Sequence, residues 1–331
     1  MDPITQGTIG AALPQLFGKK RLGIVALLGF LSGLAPDLDI FIRSASDPLL
    51  SLEYHREFTH SILFIPFGGL ICASILYLLL KKISPFSFKQ TWLYCTLGYG
   101  THGLIDACTS YGTILFWPLS DLRIAWNNIS IIDPLFTLPT LFFIVIATTK
   151  GKKIYTKIAI GWVSFYLLLG IYLHNIALEI GKNVADKRGQ EISRIQVKPS
   201  FGNLILWKII YETEDQFHVD ATNLLFKKII QGQSIRKLNI KNDFPWIKEG
   251  SQQYKDIKRF KWFSNDFLAI NPKNKNQIID IRYSGLPNEI GGLWGIQLNP
   301  NKDYEEHVKF VSMRNATLDR FKKLSNMIFK K

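Results

Sequence analysis

The chain has 331 residues, 47% of them apolar, and a mean hydropathy of +0.09, which is high for a soluble protein. Its three cysteines, Cys72, Cys95 and Cys108, all lie inside apolar runs with no CxxC pairing, which excludes a disulfide-stapled scaffold. The formal charge of +14 is uneven: residues 182–331 hold 27 Lys and Arg against 16 Asp and Glu, so the chain divides into a membrane domain, 1–181, and a basic tail domain, 182–331.

A bilayer core needs about 20 mainly apolar helical residues. Residues 4–18 are apolar and rich in small side chains but fall short of that, and are expected to form a half-helix packed on its neighbours. Five spans are expected after it, at 22–42, 60–80, 92–117, 131–149 and 154–178, with Asp133 capping the fourth just before Pro134. Lys19-Lys20-Arg21 and the run behind them have the composition of a signal peptide, but Pro36 follows the cleavage residue and more spans follow, so that reading is rejected. The basic turns at 19–21, 81–90 and 150–157 alternate with the mixed-charge loops 43–59 and 118–130. By the positive-inside rule the basic side is cytoplasmic, which puts residues 182–331 outside.

Beyond the last span the pattern changes. Residues 192–230 read as strands and a turn broken by Pro199, Gly202 and Asn203, and 251–270 as a helix leading into a strand. Residues 277–284 and 293–298 read as strands, and 302–329 has helical periodicity. The fold class is therefore a membrane all-α helical domain of about five spans plus a short N-terminal half-helix, followed by a small soluble α+β domain. The basic surface of that domain is a solvated face or is drawn to anionic lipid headgroups. It carries no nucleic-acid-binding motif, and His218 and His307 read as surface histidines.

Ionisable groups within or near the apolar slab are costly, so each calls for a role. Asp37 and Asp39 stand in Pro36-Asp37-Leu38-Asp39, at the outer end of the first span. His55 and His60 stand in His55-Arg56-Glu57-Phe58-Thr59-His60-Ser61, leading into the second span from the same side. His102 and Asp106 are four apart inside the third span and share a helix face. Taken singly they read as a turn or cap, a surface histidine, a helix start with Thr59 as N-cap, and a buried hydrogen-bonded pair. Taken together, three carboxylates and three imidazoles at similar depth match the ligand preference of a divalent metal. Zinc is favoured, with manganese or iron as alternatives, and six ligands suffice for two ions. Arg56 is the candidate for binding an anionic oxygen and Glu57 for a base, although both also read as loop-surface charges.

At these residues the chain resembles the YdjM family of membrane-bound metal-dependent hydrolases. The matching pieces are Met1-Asp2-Pro3-Ile4-Thr5-Gln6-Gly7, the Pro-Asp-Leu-Asp of 36–39, His55-Arg56-x-x-Thr59-His60-Ser61 and the run from Gly98 to Thr113, with Trp117-Pro118 and Ile132-Asp133-Pro134. The resemblance covers roughly residues 1–150 and implies that Asp37, Asp39, His55, His60, His102 and Asp106 are metal ligands. Gln6 stands where short members often carry His, Ile40 where many carry His, and Glu57 where glycine is usual. Gln6, with Thr59 and Thr101, is thus expected to support the ligands through hydrogen bonds. The His-x-x-x-Asp spacing is also similar, distantly, to the zinc-dependent phospholipase C and single-strand nuclease superfamily, which points towards phosphoesters.

The expected function is a metal-dependent hydrolase of the bacterial cytoplasmic (inner) membrane. Its expected partners are membrane lipids and a lipid-borne or small phosphoester substrate, attacked from the outer side by metal-activated water while Arg56 stabilises the developing charge. The alternatives are a non-catalytic protein with a structural metal and a metal-ion transporter; the oligomeric state is not legible in the sequence.

Overall fold

The computed structural model describes residues 1–314 and 317–330. The chain forms two units: residues 1–41, 54–172 and 201–203 make the first, and residues 42–53, 173–200 and 204–331 the second.

The first unit is helical. It opens with α1 (Pro3–Phe17), whose cap Asp2 accepts from the Thr5 amide at 3.0 Å, with Pro3 at the first helical position. After the turn comes α2 (Leu22–Leu34), continued by a 3-10 segment, Ala35–Phe41, that carries Asp37 and Asp39. The residues that follow enter the second unit and hold a short helix, α3 (Leu50–Tyr54). Back in the first unit, two 3-10 turns, Phe58–His60 and Ile62–Phe64, lead into α4 (Ile65–Leu80). Ser61, not Thr59, caps the second of these turns, accepting from the Phe64 amide at 3.2 Å, and α4 itself starts after Phe64 with no side-chain cap.

α5 (Phe88–Ala107) starts on a capping box formed by Ser87 and Gln90. It ends ten residues before the expected limit of the third span, although the apolar run continues. The reason is tertiary: the amides of Trp126 and Asn128 take the carbonyls of Ala107 and Cys108 at 2.7 and 2.8 Å, and Gly112 turns the chain at φ +95°. Next, α6 (Pro134–Lys150) is capped by Asp133 as expected, through the amides of Leu135 and Phe136. Last comes α7 (Lys153–Lys187), divided between the units after Tyr172.

Glycines let α1, α2 and α5 approach to backbone distance. A Cβ on Gly98 of α5 would lie 2.5 Å from the Gly29 carbonyl oxygen, and one on Gly10 of α1 would lie 2.6 Å from the same oxygen. Apolar cores flank this seam: Val25, Leu28, Cys72, Leu76, Cys95 and Tyr99 on one side, and Ala11, Ala12, Ala26, Ile144 and Ala159 on the other. The opposite faces of α4, α6 and α7 expose Phe67, Ile71, Leu79, Phe142, Phe165 and Leu168, which suits lipid rather than water. Among the described residues, three helical stretches are long and apolar enough to cross a membrane: Leu22–Phe41, Ile62–Leu80 and Lys153–Lys187. α6 is a shorter apolar helix, so the structure supports three of the five expected spans by length and composition.

The second unit holds two antiparallel sheets. The first is a meander of β1 (Arg194–Pro199), β2 (Leu206–Glu212), β3 (Gln216–Asn223) and β4 (Lys228–Arg236). Two helices follow: the short α8 (Ile240–Asp243), and α9 (Gln252–Phe263), which is capped by Ser251 and buries Ile257, Phe260 and Phe263. The second sheet is β5 (Leu268–Asn271), β6 (Asn274–Asp280), β7 (Trp294–Gln297) and β8 (Lys309–Ser312), and α10 (Leu318–Phe329) closes the unit. Ile210, Phe217 and Val219 of the first sheet pack with Phe267, Ala269, Ile279 and Ile281 in one core.

The expected continuous helix over 302–329 is therefore corrected, with residues 315 and 316 outside the described residues. Lys309–Ser312 instead pairs with β7 through the register Gly295 to Val311. His307 is likewise not a free surface histidine. It is half-buried, with Nδ1 2.9 Å from Asp256, in a network where the Arg259 guanidinium also grips Asp47 and Glu53. His218 stacks on Tyr211, ring centroids 4.8 Å apart.

Candidate metal centre

The end of α2, the 55–61 turn and the C-terminal half of α5 bring polar atoms to one buried point in the first unit. Asp37 comes from the 3-10 segment, His60 from the turn, and His102 and Asp106 from successive turns of α5. The Nε2 atom of His60 lies 3.4 Å from Asp37 Oδ1 and 3.3 Å from Asp106 Oδ2. The Nε2 atom of His102 lies 3.4 and 3.6 Å from the same two oxygens. All four atoms are buried and none has a hydrogen-bond partner. Unpaired buried polar atoms are costly, and four facing one another are harder still to leave without a ligand.

Their spacing fits a metal. An ion with bonds of about 2.0–2.1 Å in tetrahedral geometry holds its ligand atoms about 3.3–3.4 Å apart. The histidine tautomers agree. His102 Nδ1 lies 2.6 Å from the Gly33 carbonyl, which only accepts, so Nδ1 carries the proton and Nε2 presents its lone pair. Thr59 donates its hydroxyl proton to Asp39 Oδ2 at 2.8 Å and accepts from His60 Nδ1 at 2.9 Å, which orients His60 the same way. His102 and Asp106 are thus not a hydrogen-bonded pair; both are held from behind by other groups.

Asp39 is placed differently from Asp37. Its Oδ2 takes the Arg56 amide at 2.9 Å as well as Thr59, and its Oδ1 lies 2.7 Å from His55 Nδ1. Asp39 therefore organises the turn, and it is no cap of its own segment. With Asp37 and His55 it forms a second set whose donor atoms lie within 4.8 Å of one another.

Gln6, fully buried, donates through Nε2 to Asp106 Oδ1 at 2.7 Å, and the α-amino group of Met1 is buried against the same oxygen. Asp106 is left with Oδ2 facing the cluster. Thr101 does not join the site: its hydroxyl donates to the Gly98 carbonyl in its own helix at 2.8 Å, the usual fate of a helical threonine. Arg56 is buried at φ +66°, with Nε 3.0 Å from Asp106 Oδ2 but off hydrogen-bond geometry. Its guanidinium lies over the Tyr111 ring, 4.6 Å from the centroid. Glu57 is partly exposed, and its backbone closes the turn through Tyr54 and His60. Sequence reasoning missed Tyr111, the Gly33 carbonyl and the Met1 amine. Only Tyr111 left a signal, lying in the run from Gly98 to Thr113.

Residues 1–177 match the profile of the family described as YdjM inner membrane protein, so the chain belongs to that family. A Bacillus subtilis (strain 168) protein named "Uncharacterized protein YfhP" is 27% identical over 230 residues, covering 66% of this chain and 67% of that protein. No solved structure matches the chain.

Proposed function

We propose that this chain, which belongs to the YdjM inner membrane protein family, is a zinc-dependent hydrolase of lipid-linked or membrane-adjacent phosphoesters. One observation carries the reading: four buried ligand atoms from Asp37, His60, His102 and Asp106, without hydrogen-bond partners, face one another at the spacing of a zinc coordination shell. A divalent cation held by the histidines and aspartates of this cluster, Asp39 and His55 included, would supply Lewis acidity, polarising a phosphoryl oxygen and easing deprotonation of water. The chain's own residues do the rest. Gln6 and the Gly33 carbonyl fix the orientation of Asp106 and His102, while Thr59 and Asp39 fix His60. Arg56, held by the Tyr111 face and by Asp39 through its amide, places positive charge where the phosphoryl oxygens gain negative charge. Glu57, next to Arg56 on the turn, is the proposed proton acceptor.

In the proposed topology α5 and α6 join the three long apolar stretches as spans. The basic turns at 19–21, 81–90 and 150–157 lie inside, and the second unit lies outside. The substrate then reaches the site from the outer face, where lipid-borne headgroups lie.

The assay is turnover of lipid phosphates and soluble phosphate esters by detergent-purified, zinc-loaded protein, compared with Arg56→Ala. Wild type should hydrolyse at least one class, and Arg56→Ala should lose on the order of a hundredfold in rate while staying folded. If fully metallated wild type turns over no phosphoester and chelation unfolds the helical unit, a structural metal replaces this reading.

A further inference from the structure

The carboxylates and imidazoles fall into two sets that share one residue, and the sets differ in closure. In the first, His60, His102 and Asp106 have side chains with 0% exposure, and four protein ligands fill a tetrahedral shell. A shell filled by protein marks a structural ion, whereas a catalytic ion keeps a position open for water or substrate. The second set, Asp37, Asp39 and His55, supplies three ligands and reaches solvent: the His55 side chain is 19% exposed and that of Asp37 28%.

We propose that the protein takes two divalent cations with separate tasks, an assignment that rests on the hydrolase reading above. The buried ion, on Asp37, His60, His102 and Asp106, ties the end of α2, the turn and α5 together. The outer ion, on Asp37, Asp39 and His55, is exchangeable and is where the phosphate ester binds.

The ligand chemistry agrees with this division. A carboxylate bridges two ions through its two oxygens, and Asp37 is the residue common to both sets. Asp39 has one oxygen occupied by the Arg56 amide and Thr59, which leaves Oδ1 as a single donor towards His55. The 2.7 Å between Asp39 Oδ1 and His55 Nδ1 is a hydrogen bond, so the two atoms would part by about 0.6 Å to reach the spacing of ligands on one tetrahedral ion. Arg56 follows His55 directly in the chain and has its amide fixed by Asp39, while its guanidinium lies against the buried set, Nε 3.0 Å from Asp106 Oδ2. Because the buried ion already has four protein ligands, a substrate phosphate has room only at the outer one.

The test is a zinc titration of full-length protein in detergent after chelator stripping, read as zinc per chain, with thermal unfolding and turnover measured on the same samples. Wild type should take two ions, one surviving brief EDTA and one lost. His55→Ala should take one EDTA-resistant ion, keep the unfolding temperature of wild type in its one-ion state, and lose turnover at least a hundredfold. His55→Gln, which keeps a donor for Asp39 but is a poor ligand, guards against loss of the turn and should behave alike. Saturation of wild type at one ion, or two ions retained by both His55 variants, would overturn the assignment. Two ions bound as assigned, with no phosphate ester hydrolysed, would support the division of ligands and remove the function proposed above.

Discussion

Substituting Gly98 by alanine should weaken zinc binding at the proposed buried site without touching a ligand. A Cβ at Gly98 falls 2.5 Å from the Gly29 carbonyl oxygen and 2.6 Å from its Cα, whereas ordinary contact begins at 3.4 Å, so α5 and α2 must part by about 0.9 Å. His102 lies one helical turn beyond Gly98, and Gly33 one turn beyond Gly29. The parting would stretch the 2.6 Å bond from His102 Nδ1 to the Gly33 carbonyl to about 3.5 Å, past hydrogen-bond range. An unpaired carbonyl and N–H cost about 1–3 kcal/mol, and overpacking costs a similar amount. Metal–ligand distances tolerate only about 0.2 Å, so zinc affinity should fall by about tenfold to a hundredfold. The assay is competition for zinc against a chromophoric chelator, with unfolding temperature in the same detergent. Gly161→Ala in α7, whose Cβ meets nothing within 4 Å, is the control. Wild-type zinc affinity in Gly98→Ala would refute the idea that helix approach sets the ligand geometry.

Two further outcomes follow from the fold. A reporter fused after Gly189 should be active only outside the cytoplasm and one fused after Lys82 only inside; activity of both on the same side would contradict the proposed topology. In the second unit, burial pushes the Lys208 amine from 10.5 down to about 7, and it donates to Ser284 Oγ at 2.7 Å and to the Glu289 carbonyl at 3.1 Å. The unfolded chain then binds a proton between those two values that the folded chain does not, so stability should rise with pH through the window and be lowest below it. Lys208→Met should flatten part of that rise in unfolding temperature, with Lys198, buried beside it and shifted the same way, keeping the rest. An unchanged slope would show that Lys208 does not carry its share.

Much of this was legible in the sequence, for local reasons. The Asp133-Pro134 start of α6 is written in two adjacent residues, and the i,i+4 spacing of His102 and Asp106 fixes their common face. The β-branched runs of the second unit mark 192–230 as strands, which holds β1 to β3 and the start of β4, and place β6 and β7 within a few residues. What escaped depended on distant partners. The apolar run after Ala107 looks like more helix until the amides of Trp126 and Asn128 take its last carbonyls. Asp37 and Asp39 look equivalent in Pro-Asp-Leu-Asp, yet one faces the cluster and the other holds a turn 16 to 20 residues away. Thr59 and Thr101 both precede a histidine, and only tertiary contact shows that one supports the ring while the other bonds its own helix. His307 reads as surface until Asp256, 51 residues back in the chain, is seen beside it.

The metal centre is tested by the metal content of full-length protein purified in detergent without added metal, beside Asp106→Ala and His102→Ala. Wild type should carry at least one zinc per chain, and both variants should lose it while His307→Ala retains it. A folded wild type that stays metal-free in excess zinc, or variants that bind as much as wild type, would contradict the proposed centre.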